Sequence, residues 1–183
     1  MDKAKRYIPY LLLTALTLFF CRMFVGRYGI FGAKVYWLSQ HSVLPDYFRQ
    51  QFYATGKLFP EFAANLGGGQ NSYQFAYYGL YSPLILPSYL LPFVKMSDYI
   101  MAVSITGLTA SVLLFYYWLK SRKTDTGTAF ILSLMFLLAG PMIGQYSGQI
   151  MFVDYMPFLC LALIGVDRYF EQEKSALFTV SVF

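Results

Sequence analysis

Long apolar runs separated by short polar segments make up most of this chain. About 20 apolar residues in a helix suffice to cross the hydrocarbon core of a bilayer. The last run is about half that length, so we expect the chain to be the first part of a longer protein. The pattern predicts an all-α, polytopic transmembrane fold and a single transmembrane region over residues 1–183, with spans at residues 7–25, 97–119, 127–143 and 150–166 and an incomplete fifth at 175–183.

The region between the first two spans has a different pattern. Residues 26–77 mix aromatic with polar positions and contain no run long enough to span a membrane. Within this first loop, Pro45 is suited to open a short helix and Gly56 to close it. The polar side chains of that helix follow the i, i+3, i+4, i+7 spacing of one helix face: Asp46, Arg49, Gln50 and Tyr53. We therefore predict an amphipathic helix that lies along the membrane interface.

The segment that follows, residues 78–94, is apolar but contains Pro83, Pro87 and Pro92. Each proline removes a backbone donor and interrupts a helix. Irregular backbone at membrane depth occurs only where protein or a water-filled cavity surrounds it. The sequence therefore predicts a re-entrant or interfacial segment here instead of a spanning helix.

Composition and charge place the chain among membrane proteins. Hydrophobic residues make up 57% and charged residues 13%, with a mean hydropathy of +0.48, whereas about 25% of a typical soluble domain is charged. The net charge of +5 does not indicate nucleic acid, because the basic residues stand at the ends of apolar runs and form no stripe. Lys3, Lys5 and Arg6 precede the first span, which predicts a cytoplasmic N-terminus and an extracytoplasmic first loop.

Cysteine and histidine are too few to define a site. Cys21 and Cys160 both lie within apolar runs, and His41 is the only histidine. The sequence therefore predicts neither a disulfide framework nor a His/Cys metal site, and His41 is expected to be a solvated loop residue. The sequence identifies no cofactor, and a divalent cation is the one cofactor that it leaves open.

Several short segments together carry a family resemblance, although each alone is unspecific. They are Asp46–Gln50 (DYFRQ), Asn65–Gln70 (NLGGGQ), Ala76–Pro83 (AYYGLYSP), Ile150–Pro157 (IMFVDYMP) and Leu163–Arg168 (LIGVDR). In this combination the chain is similar to the bacterial YfhO-like membrane proteins. The resemblance implies the GT-C class of polytopic glycosyltransferases of the bacterial cytoplasmic membrane. Such enzymes take a sugar from a polyprenyl-phosphate donor and carry an acidic residue in the first outer loop.

The resemblance also implies roles for the polar side chains. Asp46 would act as the general base for the acceptor hydroxyl, in a one-step displacement that inverts the anomeric carbon. Glu61 is a second catalytic candidate, or else it only complements a helix dipole after Pro60. The acceptor would be a cell-envelope polymer or a glycolipid. The predicted substrate-binding residues are Arg49, Gln50, Lys57, Asn65, Gln70, Tyr77, Tyr78 and Asp154. The phosphate would be held by Arg49, by Lys57 or by a basic residue in the rest of the longer protein.

Simpler explanations stay open for the same residues. Asp46 pairs with Arg49 at the start of a solvated helix, and the loop tyrosines form an aromatic belt at the headgroups instead of a sugar platform. Asp154 caps a helix whose first turn holds Pro157, or it belongs to a donor or metal site. For the whole chain, the competing functions are a transporter or flippase of a lipid-linked or small polar substrate, and a non-catalytic membrane subunit.

Overall fold

The computed structural model describes residues 3–25, 34–142 and 154–182, and this part of the chain is predominantly helical, as predicted. The α-helices are α1 (Lys3–Phe24), α2 (Lys34–Tyr36), α3 (Val43–Thr55), α4 (Met96–Ser121), α5 (Thr126–Leu137), α6 (Met156–Gln172) and α7 (Ala176–Val182). A π-helix (Trp37–His41) joins α2 to α3, and 3-10 helices occupy Ser72–Tyr78 and Leu86–Leu90. The strands β1 (Phe62–Ala63) and β2 (Gln70–Asn71) pair antiparallel.

Helices α1 and α4 are long and apolar enough to cross a membrane, by length and composition. They lie where the sequence predicts the first two spans. The rings of Tyr10 and Tyr116 meet edge to face with centroids 4.8 Å apart. Tyr10 is near the N-terminal end of α1 and Tyr116 near the C-terminal end of α4, so the two helices run antiparallel. Leu13, Leu108 and Val112 lie between them in the main hydrophobic core.

The later helices differ in their bounds from the predicted spans. Helix α5 has 12 residues, about 18 Å at 1.5 Å per residue, and is shorter than the span predicted at 127–143, whose last residue lies outside the described ranges. Helix α6 begins at Met156 and continues to Gln172, past the predicted end at residue 166. The start predicted at residue 150 lies outside the described ranges. The incomplete fifth span corresponds to α7.

The C-terminal part of α6, beyond the predicted end of the span, is held by side-chain hydrogen bonds from the end of α4. The Trp118 indole donates to Oδ2 of Asp167 at 2.8 Å, and the Arg122 guanidinium donates to Oδ1 at 2.8 Å. Nearer the middle of the bundle, the Cys160 thiol donates to the Ser111 carbonyl oxygen at 3.6 Å. These contacts show that α4 and α6 run parallel. They also define two ends of the bundle: the Asp167 end, and the loop end where α4 and α6 begin.

The π-helix and α3 form one nearly continuous helical arm of the first loop. The Ser42 amide and hydroxyl both donate to the Trp37 carbonyl oxygen, at 3.2 and 2.7 Å. The predicted loop helix is confirmed as α3, which starts two residues before Pro45 because proline is tolerated in a first turn. It ends as predicted at Gly56, whose φ of 72° lies in the left-handed region that glycine enters without a Cβ clash.

The rest of the loop contains a short hairpin. Its turn holds Gly67, Gly68 and Gly69 at φ of 56°, 85° and 97°, a run of left-handed residues that glycine adopts most readily. Glu61 directly precedes β1, and its carbonyl oxygen accepts from the Ser72 amide at 2.9 Å. The prediction that Glu61 lies in the first turn of a helix and complements its dipole is therefore wrong, since Glu61 directly precedes a strand pair.

The proline-rich segment, residues 78–94, contains no α-helix, which confirms that part of the prediction. Hydroxyl groups from both neighbouring helices bind its carbonyl oxygens: Tyr53 of α3 donates to Tyr89 at 2.7 Å, and Tyr99 of α4 donates to Leu84 at 2.8 Å. These bonds satisfy backbone groups that the prolines prevent from pairing in a helix. The depth of the segment in a bilayer stays a prediction.

Helix α7 packs against α6 at Gly165, where no side chain can be accommodated. A Cβ at this position would lie 2.6 Å from the Phe178 amide nitrogen and 2.7 Å from its Cα. These are backbone atoms, so α7 itself has to move. We expect Gly165→Ala to destabilise the protein by about 1–3 kcal/mol, measured as a lower thermal midpoint in detergent.

Gly107 provides the matched control in the interior of α4. The nearest atom to a Cβ there is Cγ of Pro157, at an ordinary contact distance of 3.7 Å. Gly107→Ala should leave the midpoint unchanged or raise it, because alanine favours a helix by about 1 kcal/mol over glycine. Equal effects of the two substitutions would contradict the close approach of α7 to Gly165.

Candidate functional site

Two cavities open at the loop end of the bundle, each with a volume of about 520 Å³. The Asp46 cleft lies between the start of α3 and residues 92–97. The His41–Asp154 cavity lies on the other side of the start of α3 and reaches α4, α6 and α7. The two candidate carboxylates, Asp46 and Asp154, therefore lie at the same end of the bundle but line different cavities.

The carboxylate of Asp46 is held by its neighbours on α3. Arg49 donates to Oδ1 at 2.6 Å, and the Gln50 amide donates to Oδ2 at 2.7 Å. The predicted shared face is confirmed, since Tyr53 also points from it to the Tyr89 carbonyl. The predicted pairing of Asp46 with Arg49 is confirmed as well. Each carboxylate oxygen accepts one bond and has a second lone pair, so pairing leaves Asp46 able to accept a further hydrogen bond.

Arg49 is buried and joins the loop helix to the proline-rich segment. Besides Asp46, its guanidinium donates to the carbonyl oxygens of Val94 at 2.9 Å and Leu91 at 3.3 Å. Its side chain is 7% exposed, so its charge is neutralised by fixed protein groups and not by solvent. Lys95 is the exposed cation that lines the same cleft.

His41 is buried at the wall of the second cavity. Its relative exposure is 4%, and its ring lies parallel to that of Tyr36 with centroids 6.1 Å apart. Burial lowers the pKa of the imidazole. The expectation of a solvated loop histidine is therefore wrong, because the π-helix turns His41 toward the bundle.

Asp154 lies in the turn before α6, at the same cavity as His41. Its Oδ1 is buried without a hydrogen-bond partner among the described residues. Burial raises the pKa of this carboxyl to about 7. The predicted N-cap role is wrong, since Tyr155 holds the N-cap position of α6 and no side chain caps it, while Pro157 lies in the first turn as predicted.

A raised pKa makes the stability of the protein depend on pH through Asp154. Between its ordinary value of 3.8 and about 7, the folded protein keeps the proton that the unfolded chain has lost. Stability from this group is therefore present at low pH and falls as pH rises toward 7. We expect Asp154→Asn to remove that fall and to gain roughly 1–3 kcal/mol relative to the parent between pH 4.5 and 8. Thermal midpoints at both pH values measure this.

Asp98 supplies the control for this comparison, because its carboxylate is exposed in the first turn of α4. Asp98→Asn removes an exposed carboxylate instead of a buried one, so its midpoints at the two pH values show what loss of a surface carboxylate does. A pH-independent effect of Asp154→Asn would contradict the buried, protonated carboxyl.

Tyr77 and Tyr78 line the His41–Asp154 cavity, as their predicted substrate-binding role requires. Their rings are 4.2 Å apart between centroids, and the Tyr78 hydroxyl donates to Gln40 Oε1 at 2.6 Å. The other predicted site residues lie outside both cavities: Lys57, Glu61, Asn65 and Gln70. Among the described residues, no group of three or more His, Cys, Asp or Glu side chains comes together that could hold a metal ion.

Sequence reasoning missed His41 and Lys95, and the sequence contains a signal for His41. Trp37, His41 and Pro45 follow one another at four-residue intervals, the spacing of a buried helix face. All three are buried. The polar residues around this interval mask it, because they are typical of a solvated loop.

Comparisons with known proteins give the family. Searches of curated proteins and of solved structures found no match. The sequence profile of the family described as "Bacterial membrane protein YfhO" matches residues 9–183, nearly the whole chain. The chain therefore belongs to the YfhO family of bacterial membrane proteins.

Proposed function

We propose that the protein is a membrane glycosyltransferase that moves a sugar from a polyprenyl-phosphate donor to a cell-envelope polymer or glycolipid on the outer face of the cytoplasmic membrane. The observation that supports this most directly is the Asp46 cleft. A carboxylate fixed by Arg49 and Gln50 lies there beside the cation of Lys95. A base and a positive charge in one cleft are what transfer from a lipid phosphate needs.

Asp46 is the proposed general base. The acceptor hydroxyl donates to a free lone pair of the carboxylate and loses its proton as its oxygen attacks the anomeric carbon. The bond from that carbon to the phosphate oxygen breaks, and the phosphate leaves with the electron pair. The displacement inverts the anomeric carbon. Arg49 and Gln50 position the carboxylate, since each holds one of its oxygens.

We assign to Lys95 the phosphate-binding role that the sequence suggested for Arg49 or Lys57. Arg49 already donates to Asp46 and to two backbone carbonyls, and Lys57 is exposed beyond the end of α3, outside the cleft. Lys95 lines the cleft, is exposed and directly precedes α4. An ammonium group there would stabilise the charge that develops on the leaving phosphate.

A transporter or flippase is the second candidate. The proline-broken segment and the cavity between α3, α4, α6 and α7 are features that such proteins also have. The product of the reaction separates the two functions, because a transporter moves its substrate without changing its bonds.

The experiment uses the full-length protein in proteoliposomes with a radiolabelled polyprenyl-phosphate sugar and envelope acceptors. Sugar on the acceptor, with the opposite anomeric configuration to the donor, is the expected result. Movement of intact donor between leaflets without transfer would establish the transporter instead. Neither transfer nor movement, in protein that is correctly inserted, would favour the non-catalytic subunit.

A further inference from the structure

In the described part of the chain, the His41–Asp154 cavity lacks the cationic side chains of the Asp46 cleft. The described residues that line it include no Lys or Arg, whereas Arg49 and Lys95 line the cleft. An anionic head group would find no cation in the cavity and would face the Asp154 carboxyl. Phosphate-bearing ligands are therefore disfavoured there, because a buried charge needs a partner of opposite sign.

Polar and apolar side chains both line the cavity. His41 and Asp154 precede the helices α3 and α6 and form its polar end, at the loop end of the bundle. Ile100 in α4, Phe158 in α6 and Val180 in α7 supply apolar side chains and form its apolar end, where Ser181 is a further polar lining residue. This lining matches a ligand with a polar head and a hydrocarbon chain.

The polar end has unused capacity for hydrogen bonds. Oδ1 of Asp154 is buried and has no partner among the described residues. A buried acceptor without a partner costs free energy that a donor from a ligand would recover. Ligand hydroxyl groups supply such donors without adding charge. The ring of Tyr77, which is exposed at the same wall, offers a flat surface for the C–H face of a sugar.

We propose that the His41–Asp154 cavity binds the uncharged sugar head of a glycolipid, with hydroxyl groups on Asp154 and the lipid chain against Ile100, Phe158 and Val180. The volume of about 520 Å³ lies within the range of about 300–1,000 Å³ typical of small-molecule sites. The ligand class overlaps with the glycolipid acceptor of the proposed transfer reaction, but the evidence for this site is the cavity and not the Asp46 cleft. It holds whether or not Asp46 acts as a base.

The experiment compares three photoreactive probes of equal chain length: a diazirine-bearing alkyl glucoside, alkyl phosphate and alkylamine. The full-length protein is placed in phosphatidylcholine nanodiscs, labelled, digested and mapped by mass spectrometry. The glucoside should label peptides that contain Tyr77 or Phe158, and free octyl glucoside should compete. Equal or stronger labelling of these peptides by the phosphate or the amine would overturn the proposal.

Two variants test the residues. Asp154→Leu should lower glucoside labelling about tenfold, the loss of one strong hydrogen bond. Phe158→Trp should lower glucoside labelling by filling the apolar end of the cavity, and it serves as the test if Asp154→Leu fails to fold.

Asp98→Asn is the control and should label like the parent. Unchanged labelling in both Asp154→Leu and Phe158→Trp would also overturn the proposal. Asp46→Asn should label like the parent even where it abolishes transfer, which separates failure of this site from failure of the proposed function.

Discussion

Asp46→Asn is expected to lower the rate of sugar transfer at least about 100-fold, the usual contribution of a positioned general base. Asparagine has nearly the same shape and its carbonyl oxygen still accepts from Arg49. It leaves the buried Arg49 guanidinium without its counter-charge, so we also expect a lower thermal midpoint in a protein that still folds. What it cannot do is take the proton of the acceptor hydroxyl. The measurement is the transfer rate in proteoliposomes, with expression and thermal midpoint compared with those of the parent.

Substitutions of two other carboxylates, Glu61 and Asp98, serve as controls for this test. Glu61→Gln asks whether the second acid of the first loop contributes; because Glu61 lies outside the cleft, we expect an effect below about threefold, well short of a catalytic base. Asp98→Asn changes an exposed carboxylate near the start of α4 and should transfer at the parent rate. Full activity of Asp46→Asn would remove Asp46 from the chemistry.

Arg49→Leu is expected to destabilise the protein by about 2–4 kcal/mol. The substitution removes the hydrogen bonds that Arg49 donates to three acceptors: the Asp46 carboxylate and the carbonyl oxygens of Leu91 and Val94. Loss of one member of a buried charged pair costs several kcal/mol, because the other member stays behind without a partner. The free energy of unfolding, followed by thermal or denaturant titration in detergent, measures the effect.

The pair of Arg122 and Asp167 is the matched control, since it has the same chemistry at the other end of the bundle. The Arg122 side chain is 56% exposed against 7% for Arg49. Exposed ion pairs contribute about 0–1 kcal/mol, so Arg122→Leu should cost much less. Asp46→Asn in the Arg49→Leu background should recover part of the loss, because it removes the unpaired charge. Similar costs for Arg49→Leu and Arg122→Leu would refute the buried role of Arg49.

Elements that depend on local chemistry were predictable from the sequence. Helices α1 and α4 follow from the length of their apolar runs, and α3 follows from Pro45 and Gly56. The bonds from Arg49 and Gln50 to Asp46 follow from the three- and four-residue intervals of that helix. The predicted span ends at residue 166 where the sequence becomes polar, whereas α6 continues to Gln172, and its Asp167 bonds to α4.

The arrangement of the candidate site was less predictable, because distant segments build it. The His41–Asp154 cavity joins residues of the first loop to residues more than 100 positions later, and no local pattern encodes that contact. For the same reason Asp154 was expected to cap a helix, and Lys57, Asn65 and Gln70 were expected near the substrate. Lys95 is not among the site residues predicted from the sequence, since its place in the Asp46 cleft depends on how residues 92–97 fold back onto α3.

The π-helix at Trp37–His41 fixes the number of residues in this segment of the first loop. Each residue of an α-helix turns the chain by about 100°, and a π turn accommodates one more residue than an α turn. Deleting one residue here would allow regular α-helix from Lys34 into α3, yet it would rotate Trp37 about 100° away from the core it occupies. Exposed positions such as Ser39 should tolerate many substitutions but no deletion, so sequence comparison across this segment should find side chains that vary over a fixed number of residues.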